Sequence, residues 1–152
     1  MDLNKLKEEQ LKLAKKVIIN DKFEKIETIA GVDQTFLNED IISGIVVCNY
    51  KDLKSIEKKS AVVKAKFPYI SGFLSYREIP AILEAYNKLD NKPDVLLVDG
   101  NGILHPRRIG MASHVGILLN TATIGVAKSL IGGEKKGKTI YMEKEARGYE
   151  LV

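Results

Sequence analysis

DVLLVDG, residues 94–100, is the stretch on which the fold turns. Val95 to Val98 are apolar without alternation, as suits a strand covered on both faces, and the run stops abruptly at Asp99-Gly100. Such strands belong to sheets with helices laid against them, and those sheets gather functional groups at the carboxyl ends of their strands. Toward the N-terminus, Ile79, Ile82, Leu83, Tyr86 and Leu89 form a helical stripe closed by the polar link Asp90 to Pro93. Three β-rich segments precede it, Lys25–Phe36, Asp40–Tyr50 and Ser60–Phe67, with polar links short enough for antiparallel hairpins, which predicts a meander. Leu3, Leu6, Leu13, Ala14, Val17 and Ile18 recur at helical spacing, predicting an amphipathic helix that ends near Asn20 and packs across the sheet. Toward the C-terminus, a polar loop holding His105 and Pro106 leads to a helix with Ile109, Ala112, Gly116 and Leu119 on one side. Thr123–Ala127 reads as another buried strand and Gly132–Val152 as one hairpin. The expectation is a single α/β domain over residues 1–152, a mixed sheet flanked by helices.

Composition agrees with one ordinary globular core: 152 residues, 45% of them apolar. Twenty-four basic and 20 acidic residues leave a formal charge of +4, a mild bias toward anionic partners. Cys48, the lone cysteine, lies in the apolar run Ile41 to Cys48, reads as a small core residue and rules out an internal disulfide. A reducing, cytoplasmic compartment fits. No apolar stretch approaches the roughly 18 residues of a spanning helix, and MDLNKLKEEQ is too polar for a secretory signal, so neither membrane nor export is expected.

The acids carry the chemistry. Asp33 ends the apolar segment IETIAGV and Asp99 ends VLLV, so each places a carboxylate at a strand terminus. Carboxylates converging from separate elements can hold Mg²⁺ for phosphodiester hydrolysis; an acid at a strand end can equally mark a turn, and Asp-Gly is a common turn pair. Glu78 is ambiguous in another way, because Ser75-Tyr76-Arg77-Glu78 matches a capping box. Pro80 opposes that reading, since a proline there deprives the Tyr76 carbonyl of its helical donor; a helix starting nearer Pro80 leaves Glu78 outside and free. His105, Arg107 and Arg108 form a basic loop after Asp99 that suits a phosphate. Lys128 closes TIGVA, either to reach a phosphate or to end a strand, and His114 reads as a packed helix residue.

Four ordered stretches together resemble the endonuclease V family: GVDQTF (31–36), FPYISGFLSYREIP (67–80), VDGNGILHPRRIGMASHVG (98–116) and TIGVAKSL (123–130). The resemblance runs almost continuously to Leu130. It implies an RNase H-like fold with the antiparallel meander first and parallel strands after it. Asp33, Glu78 and Asp99 match the family's metal-binding triad, with Mg²⁺ as the implied ion and Mn²⁺ as a substitute; three acids support either one ion or two. His105 and Lys128 match supporting catalytic or substrate-binding residues. Pro68, Tyr69, Ile70 and Ser71 match the wedge that fills the gap left by a displaced base, and a tyrosine ring suits that task because it stacks on any neighbouring base. Gly72, Leu74 and Gly100 match the main-chain pocket for the lesion, where glycine lets backbone approach a base.

Two departures bear on these expectations. Ser71 stands where the family's wedge ends in proline, which predicts a looser wedge. The family also continues past the position of Val152, through a further strand, a glycine-histidine segment and a helix, so a C-terminally short form is expected. The implied activity is metal-dependent cleavage on the 3′ side of a deaminated purine, hypoxanthine or inosine, in DNA or RNA. Two alternatives stand beside it: a module that binds deaminated or distorted nucleic acid without cutting, and another RNase H-like nuclease or resolvase.

Overall fold

The computed structural model describes residues 1–21 and 23–151. At its centre is a five-stranded sheet of order β3-β2-β1-β4-β5, built from β1 (Thr28–Leu37), β2 (Asp40–Asn49), β3 (Ser55–Lys64), β4 (Val95–Asp99) and β5 (Ala122–Val126). β1, β2 and β3 form the antiparallel meander, whereas β1 with β4 and β4 with β5 run parallel. This is the mixed sheet expected of an RNase H-like domain.

Helix α2 (Leu74–Asn87) covers the meander. Its stripe of Ile79, Ile82, Ala85 and Tyr86 joins Ala30, Val32, Ile45, Val47 and Ala61 in one buried cluster. Complete burial of a side chain such as Ile82 stabilises by about 1.5–3 kcal/mol, so this seam supplies much of the hydrophobic stabilisation. Helix α3 (Met111–Leu119) covers the parallel part, with Met111, Ala112 and Val115 in the same cluster as Leu96 and Val98. The two helices are tied by a buried hydrogen bond of 3.1 Å between His114 Nδ1 and the Ser75 hydroxyl.

Four expectations need correction. Helix α1 (Leu3–Ala14) ends six residues before Asn20 and touches α3, not the sheet, because α2 and α3 already occupy that surface. β3 starts at Ser55, not Ser60, and ends at Lys64. Its first half is charged because β3 is an edge strand, and there Glu57 accepts the Asp90 and Asn91 amides, each at 2.9 Å. β5 is not buried: it forms the other edge, and Ile124 and Val126 are 54% and 49% exposed. The C-terminal segment is not one hairpin but a three-stranded sheet of β6 (Glu134–Lys136), β7 (Thr139–Met142) and β8 (Glu145–Tyr149); Val152, where the expected hairpin ends, lies outside the described residues. Gly137 and the Glu143-Lys144 pair make the turns with positive φ, and two tight turns require three strands. Cys48 is half-buried and free. Among the described residues, no helix is long and apolar enough to cross a membrane.

Candidate active site

The parallel register pairs Val32 with Val98, so the next residues, Asp33 and Asp99, stand side by side; Asp99 ends β4 as expected, but Asp33 lies inside β1, which runs on to Leu37 paired with β2, and not at a strand terminus. Asp33 Oδ1 accepts the following amide, Gln34 N–H, at 2.8 Å. Burial pushes the Asp99 carboxyl above its usual range, the charge of and a hydrogen bond with Asp33 push it further, and Lys128 draws it back. Glu78 reaches the same place from α2. Burial raises its carboxyl too, Asp99 adds to the rise, Arg77 opposes it, and Asp33 contributes least.

Glu78 arrives by neither route proposed from the sequence. α2 starts at Leu74, with Phe73 as N-cap and no side-chain cap; Ser75 is already inside the helix, and its hydroxyl bonds His114. The helix continues through Pro80, whose exposed position accommodates the ring, so Glu78 lies inside the helix and not ahead of it. The three carboxylates sense one another electrostatically, yet among the described residues no three acid, histidine or cysteine side chains are close enough to form a ready-made metal shell. An oxygen-only set of mutually repelling carboxylates fits a hard divalent cation, which would relieve the repulsion that raises Glu78 and Asp99.

The basic loop departs from the phosphate-facing cluster expected of it, since its charged groups are engaged inside the protein. Arg107 donates from Nη2 to the Gly72 carbonyl at 2.8 Å and from Nε to Gln10 Oε1 at 2.5 Å, and its guanidinium lies 4.7 Å over the Phe73 ring. Arg108 forks onto Glu145 of β8 with contacts of 2.7 to 3.0 Å. Arg147, on the same strand, bonds Glu145, Glu143 and the His105 carbonyl, so the small sheet braces the loop. His105 is 6% exposed and accepts the Arg107 amide on Nδ1 at 3.1 Å. Burial, aided by the Arg107 charge, lowers its pKa to about 4, against a bond to the Gly72 main chain that raises it. The imidazole is therefore neutral at pH 7, with the Nε2–H tautomer.

Of the wedge residues, Pro68, Tyr69 and Ser71 are exposed and Ile70 is half-buried; Tyr69, at 73% exposure, presents nearly its whole ring. Gly72 has φ +80°, and a Cβ there would stand 2.9 Å from Arg107 Nη2; Gly100 has φ +142°, and its Cβ would meet Met111 Cβ at 2.8 Å. Both positions are closed to larger residues. Leu74, half-buried, opens α2. Lys128 is exposed just beyond β5.

Sequence reasoning missed two contributors. Gly125 lets the Asp-Gly turn lie on β5, since its Cβ would fall 2.5 Å from the Gly100 carbonyl oxygen, and a glycine inside a strand was the available signal. Gln10 is fully buried in α1, where a lone glutamine among lysines and leucines gives no signal at all.

Comparison with known proteins follows the same lines. The family model for Endonuclease V matches residues 11–150. Endonuclease V of Dictyoglomus turgidum is 48% identical over 129 residues, covering 85% of this chain and 55% of that protein. Endonuclease V of Trichormus variabilis is 50% identical over 127 residues, covering 82% and 58%. The chain thus spans little more than half the length of these curated relatives. Among solved structures, Endonuclease V from Bacillus subtilis superposes with a TM-score of 0.88 at 30% identity, over 100% of this chain and 71% of that one. Ciona intestinalis Endonuclease V, in complex with a 24mer DNA containing an inosine followed by a ribo-adenosine, superposes with a TM-score of 0.79 at 37% identity, over 85% and 59%.

Proposed function

This chain belongs to the endonuclease V family, and from that premise we propose that it is a metal-dependent endonuclease cutting nucleic acid on the 3′ side of a deaminated purine. The observation behind the reading is that Asp33, inside β1, Asp99, at the end of the parallel β4, and Glu78, in the second turn of α2, act on one another's charge, with Lys128 acting on Asp99. Those three carboxylates would hold Mg²⁺, or Mn²⁺ in its place. When bound, such a cation lowers the pKa of water and offsets the charge that builds on phosphate oxygens.

The rest falls to the protein's own groups. Lys128 offers a positive charge to the phosphodiester beside Asp99. The exposed ring of Tyr69 stacks on a base next to the vacated position, at about 1–3 kcal/mol per base, partly offsetting the cost of unstacking. The main chain of Gly72, Leu74 and Gly100 approaches the extruded hypoxanthine, and glycine at 72 and 100 permits the positive-φ turns that set this main chain against Arg107 and Met111. Inosine in DNA and in RNA are both substrates on this reading, because none of these groups is assigned to a 2′-hydroxyl. His105, neutral and buried, serves through the loop it stabilises and not as a charged phosphate ligand.

The test is a labelled duplex carrying one deoxyinosine, with its unmodified twin, in Mg²⁺ or EDTA, against the unsubstituted protein and Asp33→Ala. A Mg²⁺-dependent nick 3′ to the lesion, absent in Asp33→Ala, is the expected result. Selective binding without a nick would replace the nuclease by a lesion-binding module. The absence of both cleavage and selective binding would overturn lesion recognition altogether.

A further inference from the structure

α1 buries two residues, Gln10 and Ala14, and Gln10 is the one with no exposed surface. Burying a long polar side chain costs free energy unless every polar atom is paired, and here both ends are. Nε2 donates to the Gly72 carbonyl at 2.9 Å, and Oε1 accepts from Arg107 Nε. Arg107 in turn donates to the same carbonyl, closing a ring of three hydrogen bonds among residues 10, 72 and 107. The buried His105 also bonds the Gly72 main chain, so three side chains converge on this one residue.

This ring lies where the wedge segment meets α2. Gly72 follows Ser71 directly, its φ of +80° is the left-handed turn between wedge and helix, and Phe73, under the Arg107 guanidinium, is the N-cap of α2. Beyond the ring, the segment has one local main-chain bond, Phe73 N–H to the Ile70 carbonyl at 2.9 Å. Its shape is therefore imposed from outside, by a helix more than sixty residues earlier and a loop 35 residues later.

We infer that Gln10 is a positioning residue for lesion recognition: with Arg107 it holds the Gly72 carbonyl in place, so that the wedge and the main-chain pocket exist before nucleic acid arrives. The inference rests on the proposed reading that this segment meets the lesion. A pre-formed site avoids ordering a loop on binding, and that cost falls on the discriminating contacts, because undamaged duplex held by phosphate contacts does not engage the pocket.

Two substitutions separate positioning from simple packing. Gln10→Glu keeps the acceptor for Arg107, and so keeps α1 docked, but cannot donate to Gly72 and sets oxygen against oxygen. Gln10→Met keeps the volume and loses both bonds. Affinity for the deoxyinosine duplex and for its unmodified twin is measured in EDTA. Amide exchange of residues 69–74 is followed in the free protein.

Both variants should lose about tenfold in the ratio of the two affinities, with the unmodified duplex bound as before, and exchange at 69–74 should quicken by a similar factor. Gln10→Glu should do so with little change in its thermal midpoint. A lowered midpoint with unchanged affinity ratio and unchanged exchange at 69–74 would overturn the inference and leave Gln10 a packing residue. If the unsubstituted protein shows no preference for deoxyinosine, lesion recognition itself fails, and exchange at 69–74 then decides alone whether Gln10 holds the loop: no acceleration overturns it.

Discussion

Two regions of this molecule hold charged and polar residues and treat them in opposite ways. Around Asp33, Glu78 and Asp99, burial raises the carboxyls of Glu78 and Asp99, and the neighbouring carboxylates raise them further. In the loop cradle, Gln10, His105, Arg107 and Arg108 are engaged inside the protein, mostly with main chain or with one another. The first region is unfavourable on its own and, on the proposed reading, would become favourable on binding a cation; the second is already satisfied and sets the shape of the backbone. Charge alone therefore does not mark a ligand contact. What matters is whether the protein has left the charge uncompensated.

The largest effect that tests this contrast is on catalysis. Asp99→Asn should lower the rate of nicking by on the order of 10³-fold, since metal-assisted charge stabilisation is worth several kcal/mol. In EDTA the same variant should unfold at no lower denaturant concentration than the parent, because it removes repulsion; a clear loss of stability would erase the difference between the regions. Arg107→Ala should behave in the reverse sense. Loss of a charged donor to Gly72 and Gln10 is expected to cost about 2–3 kcal/mol in denaturant unfolding, however much activity survives.

pH divides the regions next. His105 has a folded pKa lowered to about 4, so the unfolded chain takes up its proton first as pH falls below its ordinary value of 6.5. Stability is then lost between 6.5 and 4, by about 3 kcal/mol at roughly 1.4 kcal/mol per pH unit, and levels off below. Glu78 and Asp99 have raised folded values, so with EDTA present their contribution has the opposite sign: protonation on acidification stabilises the folded state. His105→Gln should flatten the loss seen from 6.5 to 4 in urea titrations at fixed pH steps, and an unchanged slope would assign that loss elsewhere. The smallest effect is at the tether between the helices. Ser75→Ala should cost about 1 kcal/mol, the net worth of one buried hydrogen bond, and should leave the pH profile of nicking where it was.

Much of the fold was legible because its signals are local. The unalternating run Val95–Val98 and the stripe from Ile79 to Leu89 report burial through spacing alone, and both elements are where those patterns put them. β3 was misjudged because an edge strand need not be apolar, and Ser55–Lys59 carries Glu57 and Lys59 in contact with the Asp90 turn instead. β5 was misjudged for the converse reason: Ile124 and Val126 look like core residues, but nothing in a five-residue pattern says that the strand is at an edge. Family resemblance, not periodicity, singled out the acids, and the capping-box pattern at Ser75 misled because the helix starts one residue earlier, at Leu74, with Phe73 as its N-cap.

By itself, then, the sequence determined the order of helices and strands as far as β5, the helix stripes that cover the sheet, and the three acids as a candidate set. Only the tertiary structure decided that Asp33 and Asp99 stand side by side, that Glu78 joins them from within a helix, and that Arg107 turns inward to Gln10 and Gly72. The physical reason is range. Periodicity records contacts within a few residues, whereas a carboxylate's repulsion and a guanidinium's partner are set by groups tens of residues away, which only the folded chain brings together.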